Sequence, residues 1–326
     1  MENETILSEF AADVLEGLTA EPKYLSSKYF YNEEGDALFQ EIMAMPEYYL
    51  TRSEYEIFSN SKAEMLTYFS QGKEKFHLIE FGAGDGLKTK VLLKHFWEKQ
   101  ARFCYLPIDI SPNIIEKLTA DLNTNMPGLE VKGVSDDYFN TLEHLDKYVP
   151  SESNIRNVIF FLGANIGNYT RKASIDFLKR IRQYLSPGDQ LLIGMDLRKE
   201  PSIVHRAYND KGGITQAFNL NLLKRINEEL GGNFDISQFL FYPIYDPQEG
   251  SIKSYLVSRK IQQVYIKALD KTIEFDAWEA IFTERSHKFC LSEIEKLAEE
   301  TGFRVLHNFF DCRHYFTDSL WTLASE

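Results

Sequence analysis

Hydrophobic and polar positions follow two different periods along the chain. Up to about residue 70 the apolar spacing is helical, as at Leu38, Phe39 and Ile42, and no convincing strand alternation precedes residue 76. From residue 76 onward, short apolar runs of strand length alternate with segments of helical spacing. The pattern therefore predicts a mostly helical N-terminal stretch followed by a region in which strands and helices alternate.

Five runs in the alternating region are predicted to be strands, of which the third is weaker than the others. They cover residues 77–81, 103–108, 129–133, 158–162 and 190–195, and helices are predicted between them over 87–97, 112–122 and 171–185. Ser111 and Pro112 suit the N-cap and the first turn of the second of these helices. The fourth run is apolar throughout, as expected for a strand buried on both faces. Together these elements predict an α/β fold with a parallel, doubly wound sheet.

The alternation stops after Asp196. Residues 200–232 have helical spacing, residues 239–264 contain strand-like runs, and a helix over 291–300 precedes two closing strands over 303–309 and 314–324, which we expect to be antiparallel. We therefore predict two discontinuous domains. Residues 62–198 and 287–326 would form a sheet domain, and residues 1–61 and 199–286 a second domain. A ligand site is expected at the carboxyl ends of the parallel strands.

Composition narrows the class of protein. The 326 residues are 44% hydrophobic and 26% charged, which are ordinary globular values. With 36 basic and 49 acidic residues the net charge is -13, and the basic residues are scattered, so we expect no nucleic-acid or membrane partner. No apolar run has the length of a bilayer span, and the acidic first residues lack the features of a signal peptide. A cytoplasmic protein is predicted, with a monomer favoured.

Cysteines and histidines give no sign of a metal. The three cysteines, Cys104, Cys290 and Cys312, form no CxxC pair and are predicted to be reduced thiols. The seven histidines form no HxxxH pair. We therefore expect no metal site.

A glycine-rich loop follows the first predicted strand and opens a helix, over Glu80-Phe81-Gly82-Ala83-Gly84-Asp85-Gly86. Glycines such as Gly82 and Gly84 let the backbone approach a ligand at the helix N-terminus. A dinucleotide fingerprint has its third glycine three positions after the second, where this chain has Leu87. An acidic residue before the loop, here Glu80, is typical of methyltransferases. The loop therefore favours S-adenosylmethionine as the ligand, with a dinucleotide or a purely structural turn as alternatives.

Acidic residues follow the next two predicted strands. Asp109 closes the second strand, where a carboxylate can accept hydrogen bonds from both hydroxyls of a ribose; the alternative is a favourable charge at the next helix N-terminus. After the third strand, Asp137 could hold an adenine amino group, and the ring of Tyr138 could pack on the base. The neighbouring Ser135 and Asp136 are also consistent with a plain solvated turn.

Matches to a known family extend over nearly the whole chain. The matching stretches are Tyr29-Phe30-Tyr31, Gly35, Leu38-Phe39, Pro46 to Tyr49, Thr51 to Glu54, Glu80 to Thr89, Phe161 to Gly163, Ile166 to Asn168, Asp196-Leu197, Arg206 to Asp210, Phe218-Asn219, Asn221 to Leu223 and Thr283 to Phe289. In this order they are far more specific than the glycine loop alone. The sequence resembles the L-histidine N-alpha-methyltransferases of ergothioneine biosynthesis.

The resemblance implies a fold, a cofactor and a reaction. The fold is a Rossmann-like class I methyltransferase sheet that binds S-adenosylmethionine, with a second, substrate-binding domain built from the N-terminal segment and an insertion. The cofactor contacts that it implies are Tyr31, Gly82, Lys88, Asp109, Asp137 and Tyr138. The reaction is methylation of the alpha-amino group of free L-histidine, through three rounds to the trimethylated betaine hercynine. This small amino acid is the partner that we expect.

The resemblance also assigns the amino-acid site. Asn168 and Tyr208 would hold the substrate carboxylate, Tyr48 would be the catalytic residue at the reacting end, Gly163 would offer a backbone contact, Phe39 would form a pocket wall, and Glu284 and Ser286 would read the imidazole. An amide and a phenol can donate to a carboxylate, and a Glu and a Ser can satisfy the two nitrogens of an imidazole. Strand alternation places Glu284 and Ser286 on one face. Without the resemblance, Asn168 could be a turn residue and Tyr208 a core aromatic. Glu284 and Ser286 could lie on an exposed strand face.

One position departs from the family. Where relatives carry a Met that lines the acceptor pocket, this chain has Ser254, by an alignment that rests on Tyr255 and Leu256. A smaller, polar side chain could admit a larger acceptor or add a hydrogen bond to imidazole. One alternative is therefore another aromatic amino acid such as a tryptophan derivative, against which Glu284 and Ser286 argue, because indole has one donor and no acceptor. The other is a regulatory protein that binds the cofactor without turnover.

Overall fold

The computed structural model of the chain describes residues 2–149 and 154–324, with side chains from residue 9 onward. It divides into two compact units, and each is formed by two separate stretches of chain. We call Met1–Tyr49 with Lys199–His287 the N-terminal unit, and Leu50–Arg198 with Lys288–Glu326 the sheet unit. Each unit has an apolar core of its own.

Helices and strands account for most of the residues described. The helices are α1 (Glu2–Thr19), α2 (Glu33–Ala44), α3 (Tyr49–Ser70), α4 (Thr89–Glu98), α5 (Pro112–Asn125), α6 (Tyr138–Glu143), α7 (Arg171–Arg182), α8 (Pro201–Tyr208), α9 (Ile214–Leu230) and α10 (Leu291–Glu300). The strands are β1 (Lys75–Phe81), β2 (Phe103–Asp109), β3 (Glu130–Val131), β4 (Val134–Ser135), β5 (Ile155–Phe161), β6 (Gln190–Asp196), β7 (Phe239–Asp246), β8 (Ser251–Ser258), β9 (Gln262–Ile266), β10 (Lys271–Phe275), β11 (Ala280–His287), β12 (Phe303–Phe310) and β13 (Phe316–Leu323). Within the described ranges, no helix is both long enough and apolar enough to cross a membrane.

The sheet unit is built on an eight-stranded sheet. Its strands follow the order β12-β13-β6-β5-β1-β2-β3, and β4 also pairs with β2. Strands β1 to β6 are parallel wherever they pair, whereas β13 runs antiparallel to β6 and β12 antiparallel to β13. The predicted parallel sheet with an antiparallel closing pair is therefore confirmed. Since β2 and β5 lie on opposite sides of β1, the carboxyl ends of β1 and β5 border the crevice where α/β sheets bind ligands.

Burial on both faces explains why the central strands are apolar. All residues of β6 are buried, and so are all those of β1 after the first. Side chains of the sheet and its helices pack into one apolar cluster that includes Ile79, Phe161, Leu191 and Trp321. Each such side chain contributes about 1.5–3 kcal/mol when it is fully buried. The apolar cluster therefore holds the helices against the sheet.

The N-terminal unit is arranged around helix α9. This helix packs against α2 and contacts β7 and β8 of the antiparallel sheet β11-β8-β7, as well as β9 of the β9–β10 pair. Its residues Phe218 and Leu222 are buried in a core that also contains Phe30, Leu256 and Ile281. The helix therefore links the aromatic N-terminal segment to the strands of the insertion.

Three local elements differ from the sequence prediction. The stretch 200–232 forms two helices, because Asp210 starts a new one: its carboxylate accepts from the backbone N–H of Ile214 at 2.9 Å and of Thr215 at 2.8 Å. Helix α6 forms where we predicted no helix, since Asp137 caps its N-terminus. The third predicted strand is reduced to the two-residue strands β3 and β4.

Candidate active site

The glycine loop lies at the carboxyl end of β1. Its three glycines, Gly82, Gly84 and Gly86, have φ angles of 64°, 54° and 65°, which residues with a Cβ rarely adopt. A Cβ at Gly84 would meet no atom within 4 Å, so the backbone there can be approached by a ligand. The helix after the loop begins at Thr89, two residues later than predicted, because the loop continues to Lys88.

Asp109 ends β2 and ties the glycine loop to the next turn. Its Oδ2 accepts a hydrogen bond from the backbone N–H of Gly84 at 3.2 Å, and its Oδ1 accepts from that of Ser111 at 3.1 Å. An ionised carboxylate has about four lone-pair sites, so each oxygen can accept one further hydrogen bond. A ligand that presents two adjacent hydroxyls, as the ribose of S-adenosylmethionine does, fits this arrangement.

Asp137 and Tyr138 stand at the start of α6. Oδ1 of Asp137 accepts from the backbone N–H of Phe139 at 2.9 Å and of Asn140 at 3.2 Å, so this oxygen caps the helix. The Tyr138 ring stacks on Phe81, with centroids 4.7 Å apart and 3° between the planes. Burial raises the pKa of the Tyr138 phenol, which therefore stays neutral. A role of this pair toward adenine would use the second carboxylate oxygen and the second ring face.

Glu80 joins the end of β1 to the start of α4. Its two oxygens accept hydrogen bonds from Thr89 Oγ1 at 2.7 Å and from Tyr105 Oη at 2.5 Å. Burial raises the pKa of the Glu80 carboxyl to about 7, and the two hydrogen bonds offset only part of that effect. The side chain that precedes the glycine loop therefore titrates near neutral pH.

Lys88 and Gly163 share one partner, Glu54 of helix α3. Lys88 Nζ forms an ion pair with Glu54 Oε2, and the backbone N–H of Gly163 donates to Oε1 at 2.8 Å. The N–H of Gly163 thus has a partner within the protein, and a substrate contact there would use the carbonyl. Asn168 follows, half-buried, in the 3-10 helix Asn165–Asn168 after β5.

Tyr48, Tyr208 and Ser286 form one cluster in the N-terminal unit. Tyr208 ends α8, and its hydroxyl donates to Ser286 Oγ on β11 at 2.9 Å. The Tyr48 ring lies edge-on to that of Tyr208, with centroids 6.1 Å apart. The residue predicted to hold the substrate carboxylate is therefore in direct contact with one predicted to read the imidazole, which the sequence did not indicate.

Glu284 and Ser254 are neighbours across the β8–β11 ladder. Their Cα atoms are paired, and paired residues of antiparallel strands project to the same face. The ladder shifts between Phe282 and Glu284, but Ser286 lies beyond the shift and stays in step with Glu284. Ser254 and Ser286 are buried and Glu284 is half-buried. These three polar side chains therefore share one face of the strand pair.

Tyr31 and Phe39 belong to an aromatic group in the same unit. The Tyr31 ring lies edge-on to Phe39 at 5.6 Å and to Phe218 at 5.8 Å. The next residue, Asn219, accepts a hydrogen bond from Thr283 Oγ1 at 2.9 Å. This buried contact connects the aromatic group to strand β11.

The predicted residues are distributed over both units. The sheet unit contains Gly82, Gly84, Lys88, Asp109, Asp137, Tyr138, Gly163 and Asn168. The N-terminal unit contains Tyr31, Phe39, Tyr48, Tyr208, Ser254, Glu284 and Ser286. Tyr31 is thus in a different unit from the other predicted cofactor contacts. In the part of the chain that the structure describes, no group of three or more His, Cys, Asp or Glu residues is placed to hold a metal ion.

Sequence reasoning missed Glu54, Thr89 and Tyr105 as supports of the site. For Glu54 a signal existed, because it shares a helical face with the buried apolar residues Leu50 and Ile57, and a charge on a buried face needs a partner. Thr89 and Tyr105 carried no such signal. Both donate to Glu80, which lies 9 residues before Thr89 and 25 residues before Tyr105 in the sequence.

The sheet, the glycine loop and the acidic strand ends together define a class, that of S-adenosylmethionine-dependent methyltransferases with the class I fold. Within that class, the family described as histidine-specific, S-adenosylmethionine-dependent methyltransferases matches residues 10–323. The chain belongs to this family.

Three relatives illustrate the match. Histidine N-alpha-methyltransferase of Mycolicibacterium smegmatis is 36% identical over 295 residues, which cover 90% of this chain and 89% of that protein. The protein of the same name from Mycobacterium tuberculosis is 35% identical over 277 residues, or 85% of this chain and 83% of that one. Ergothioneine biosynthesis protein 1 of Schizosaccharomyces pombe is 30% identical over 288 residues, or 87% of this chain and 37% of that protein. The resemblance and the cofactor predicted from the sequence are therefore confirmed.

Replacement of Glu80 by Gln should make stability less dependent on pH. The pKa of Glu80 rises from 4.5 to about 7 on folding, so its favourable contribution is full below about pH 4.5 and is lost as the pH rises toward 7. The whole change corresponds to about 3 kcal/mol. Urea unfolding at pH 5 and pH 8 should show the wild type losing stability relative to Glu80→Gln at the higher pH. An unchanged difference would contradict the burial argument.

Replacement of Asp109 by Ala should weaken cofactor binding. The variant removes the acceptor for the Gly84 N–H and the acceptors available to a ribose, and a hydrogen bond to a charged group is worth about 1.5–3 kcal/mol. Calorimetric titration with S-adenosylmethionine measures the loss. Asp121→Ala is the matched control, because that carboxylate forms an ion pair with Lys90 on the surface. Equal affinities of the two variants would exclude the ribose role.

Proposed function

We propose that the chain methylates the alpha-amino nitrogen of free L-histidine, with S-adenosylmethionine as the methyl donor, in three rounds to the trimethylated betaine. The observation that carries the proposal is the polar group on β8 and β11, where Ser286 accepts from Tyr208 at 2.9 Å and Glu284 is paired with Ser254. Support comes also from the family and from the two mycobacterial relatives named histidine N-alpha-methyltransferase, which match over most of their length.

Glu284 and Ser286 suit the imidazole ring. A carboxylate accepts from an imidazole N–H, and a hydroxyl can donate to the bare nitrogen or accept from a second N–H. Both side chains project from one face of β11, two residues apart, so they can address two atoms of one ring. If Tyr208 turns from Ser286 to the substrate, the buried Ser286 hydroxyl needs a new partner, which an imidazole nitrogen supplies and a phenyl ring does not.

We assign the substrate carboxylate to Tyr208 and Asn168. Both side chains are neutral hydrogen-bond donors, so they can bind an amino-acid carboxylate without the long, flexible side chain of a lysine. The Tyr208 hydroxyl already donates its one proton to Ser286. Binding of a substrate carboxylate would therefore turn the Tyr208 hydroxyl toward the ligand. Ser286 would then be able to bind the imidazole ring.

The sheet unit supplies the residues for the cofactor. Gly82 and Gly84 offer an approachable backbone, Asp109 accepts from ribose hydroxyls, and Lys88 offers a cation at the start of α4. When bound, S-adenosylmethionine supplies an electrophilic methyl group. The cofactor carries the difficult chemistry, and the chain contributes binding and orientation.

The amine must present a lone pair, so it must lose its extra proton at or before transfer. Tyr48 is the residue that we place at this nitrogen. Its ring is held edge-on by Tyr208, and a phenol oxygen can accept a hydrogen bond from an amine N–H and so direct the lone pair. Good orientation of two reactants lowers a barrier by about 7–11 kcal/mol.

Repeated transfer to one nitrogen accounts for the trimethylated product. Each methyl group removes one N–H donor, while the carboxylate and the imidazole keep their own partners. The name of the Schizosaccharomyces pombe relative, ergothioneine biosynthesis protein 1, agrees with a betaine of histidine as product. Mass detection of the mono-, di- and trimethylated products over time tests this part of the proposal.

A second candidate acceptor is a tryptophan derivative. It is favoured by Ser254, a small buried residue paired with Glu284, because a small side chain leaves room for a larger ring. It is opposed by Glu284 itself, because indole cannot satisfy both Glu284 and Ser286. A regulatory protein that binds the cofactor without turnover is a third reading, and any methyl transfer would exclude it.

A panel of free amino acids with labelled cofactor tests the proposed acceptor. We expect transfer to histidine well above that to tryptophan, phenylalanine or histamine, the last of which lacks the carboxylate. Transfer to another amino acid in preference to histidine would overturn the assignment of Glu284 and Ser286. Equal use of histamine would overturn that of Asn168 and Tyr208.

The shared hydrogen bond predicts that Tyr208→Phe and Ser286→Ala are not additive. Each variant alone should lower the free energy of unfolding of the ligand-free protein, as measured by urea unfolding, since one buried polar atom loses its partner at a cost of about 1–3 kcal/mol. The double variant should cost less than the sum, by about 0.5–3 kcal/mol. Tyr242→Phe, at a tyrosine of β7 that is 52% exposed, is the matched control. Strict additivity would show that the two hydroxyls act separately.

Glu284→Ala should shift acceptor preference. Loss of the carboxylate removes a charge-assisted hydrogen bond worth about 1.5–3 kcal/mol, so turnover of histidine should fall about 10- to 100-fold. It also relieves the penalty for burying that carboxylate against an apolar ring, so tryptophan should gain relative to histidine. The ratio of kcat/KM values for the two amino acids measures the change. Glu274→Ala, at an exposed strand glutamate, should leave the ratio unaltered.

A further inference from the structure

Glu54 is a buried charge that the proposed reaction does not use. It lies on α3, and its side chain is 1% exposed. Its neighbours on the same helical face, Ile57 and Phe58, are buried in apolar surroundings. A carboxylate in such a position costs free energy unless it is paired and hydrogen-bonded. The hydrogen-bond and ion-pair partners of Glu54 therefore indicate its role.

The partners of Glu54 come from two loops of the crevice. Oε2 forms the ion pair with Lys88, which follows the glycine loop after β1. Oε1 accepts from the backbone N–H of Gly163, in the loop after β5, at 2.8 Å. Strands β1 and β5 are adjacent in the sheet. One carboxylate therefore connects the two loops that border the crevice, and it does so from a third element.

The sheet leaves room for this carboxylate. A Cβ at Gly194 of β6 would collide with Glu54 Oε1 and come within 3.1 Å of the Gly163 nitrogen. Asp318 of β13, whose Cα is paired with that of Gly194, is fully buried. Burial and the charge of Glu54 raise the pKa of Asp318 well above its usual range, which favours its neutral form. The ion pair of Lys88 is formed with Glu54.

The charge of Lys88 depends on Glu54. Burial alone would favour the neutral amine, but the charge of Glu54 and its hydrogen bond outweigh that effect, and the pKa of Lys88 lies above its ordinary value. The ammonium is therefore retained at the start of α4 because Glu54 is there.

We propose that Glu54 is a positioning residue of the cofactor site, which holds the Lys88 ammonium and the Gly163 backbone in place through its two oxygens. The inference rests on the proposed function only for the role of Lys88 toward the cofactor. Glu54 would act through Lys88 and Gly163.

Calorimetric titration of S-adenosylmethionine into Glu54→Ala and Glu54→Gln tests the proposal without any acceptor. We expect Glu54→Ala to raise the Kd at least tenfold, because both loops lose their shared partner. Glu54→Gln should lie between this variant and the wild type, since an amide oxygen can still accept from Gly163 but does not offset the ammonium. Glu56→Gln, which changes a carboxylate on the same helix that accepts from the Cys312 N–H at 2.9 Å, should bind as the wild type does.

A double-mutant cycle with Lys88→Met separates positioning from a general loss of structure. If Glu54 acts through Lys88, Glu54→Gln should raise the Kd less in the Lys88→Met background than in the wild type. Thermal unfolding of each variant shows that the titrated protein is folded. The proposal is overturned if Glu54→Gln has the Kd of Glu56→Gln, if it binds the cofactor more tightly than the wild type, or if its effect adds in full to that of Lys88→Met.

These readouts are independent of the acceptor. If the amino-acid panel shows that histidine is not methylated, the cofactor titrations still decide the role of Glu54. If Glu54 proves irrelevant to cofactor affinity, the acceptor assignments on β8 and β11 are unaffected.

Discussion

Buried charge near the carboxyl ends of the central strands is the constraint on which the sheet unit depends. Strands β1 and β6 are covered on both faces, so ionisable groups at their ends lie away from water and must be paired or neutral. Lys88 is offset by Glu54, whereas burial raises the pKa values of Glu80 and Asp318 toward their neutral forms. The positions of the loops after β1 and β5 depend on how these groups are paired.

The N-terminal unit, whose polar group we propose as the acceptor site, is organised differently. Its polar group stands on an antiparallel ladder, where pairing of β8 with β11 sets the spacing of Ser254, Glu284 and Ser286. Only Glu284 among these three is a charged residue type, and none of the three belongs to the apolar core around α9.

Several residues carry both a structural duty and a proposed ligand contact. Asp109 holds Gly84 and Ser111, Asp137 caps α6, and the N–H of Gly163 is bound by Glu54. Since a carboxylate has several lone pairs, it can accept the structural hydrogen bonds and those of a ligand at the same time. Loss of such a residue alters loop geometry together with ligand contacts, which is why matched control variants are needed to assign either effect.

Local information in the sequence determined the alternating strands and helices, the glycine loop and the family, because hydrophobic periodicity and short motifs lie within a few residues of one another. Tertiary structure alone decided that Glu54 binds the N–H of Gly163, 109 residues away, and that Tyr208 binds Ser286, 78 residues away. It also decided where the ladder of β11 shifts and that Asp137 starts a helix. Such contacts depend on which elements pack together, and packing is set by the summed burial of many side chains rather than by any local pattern.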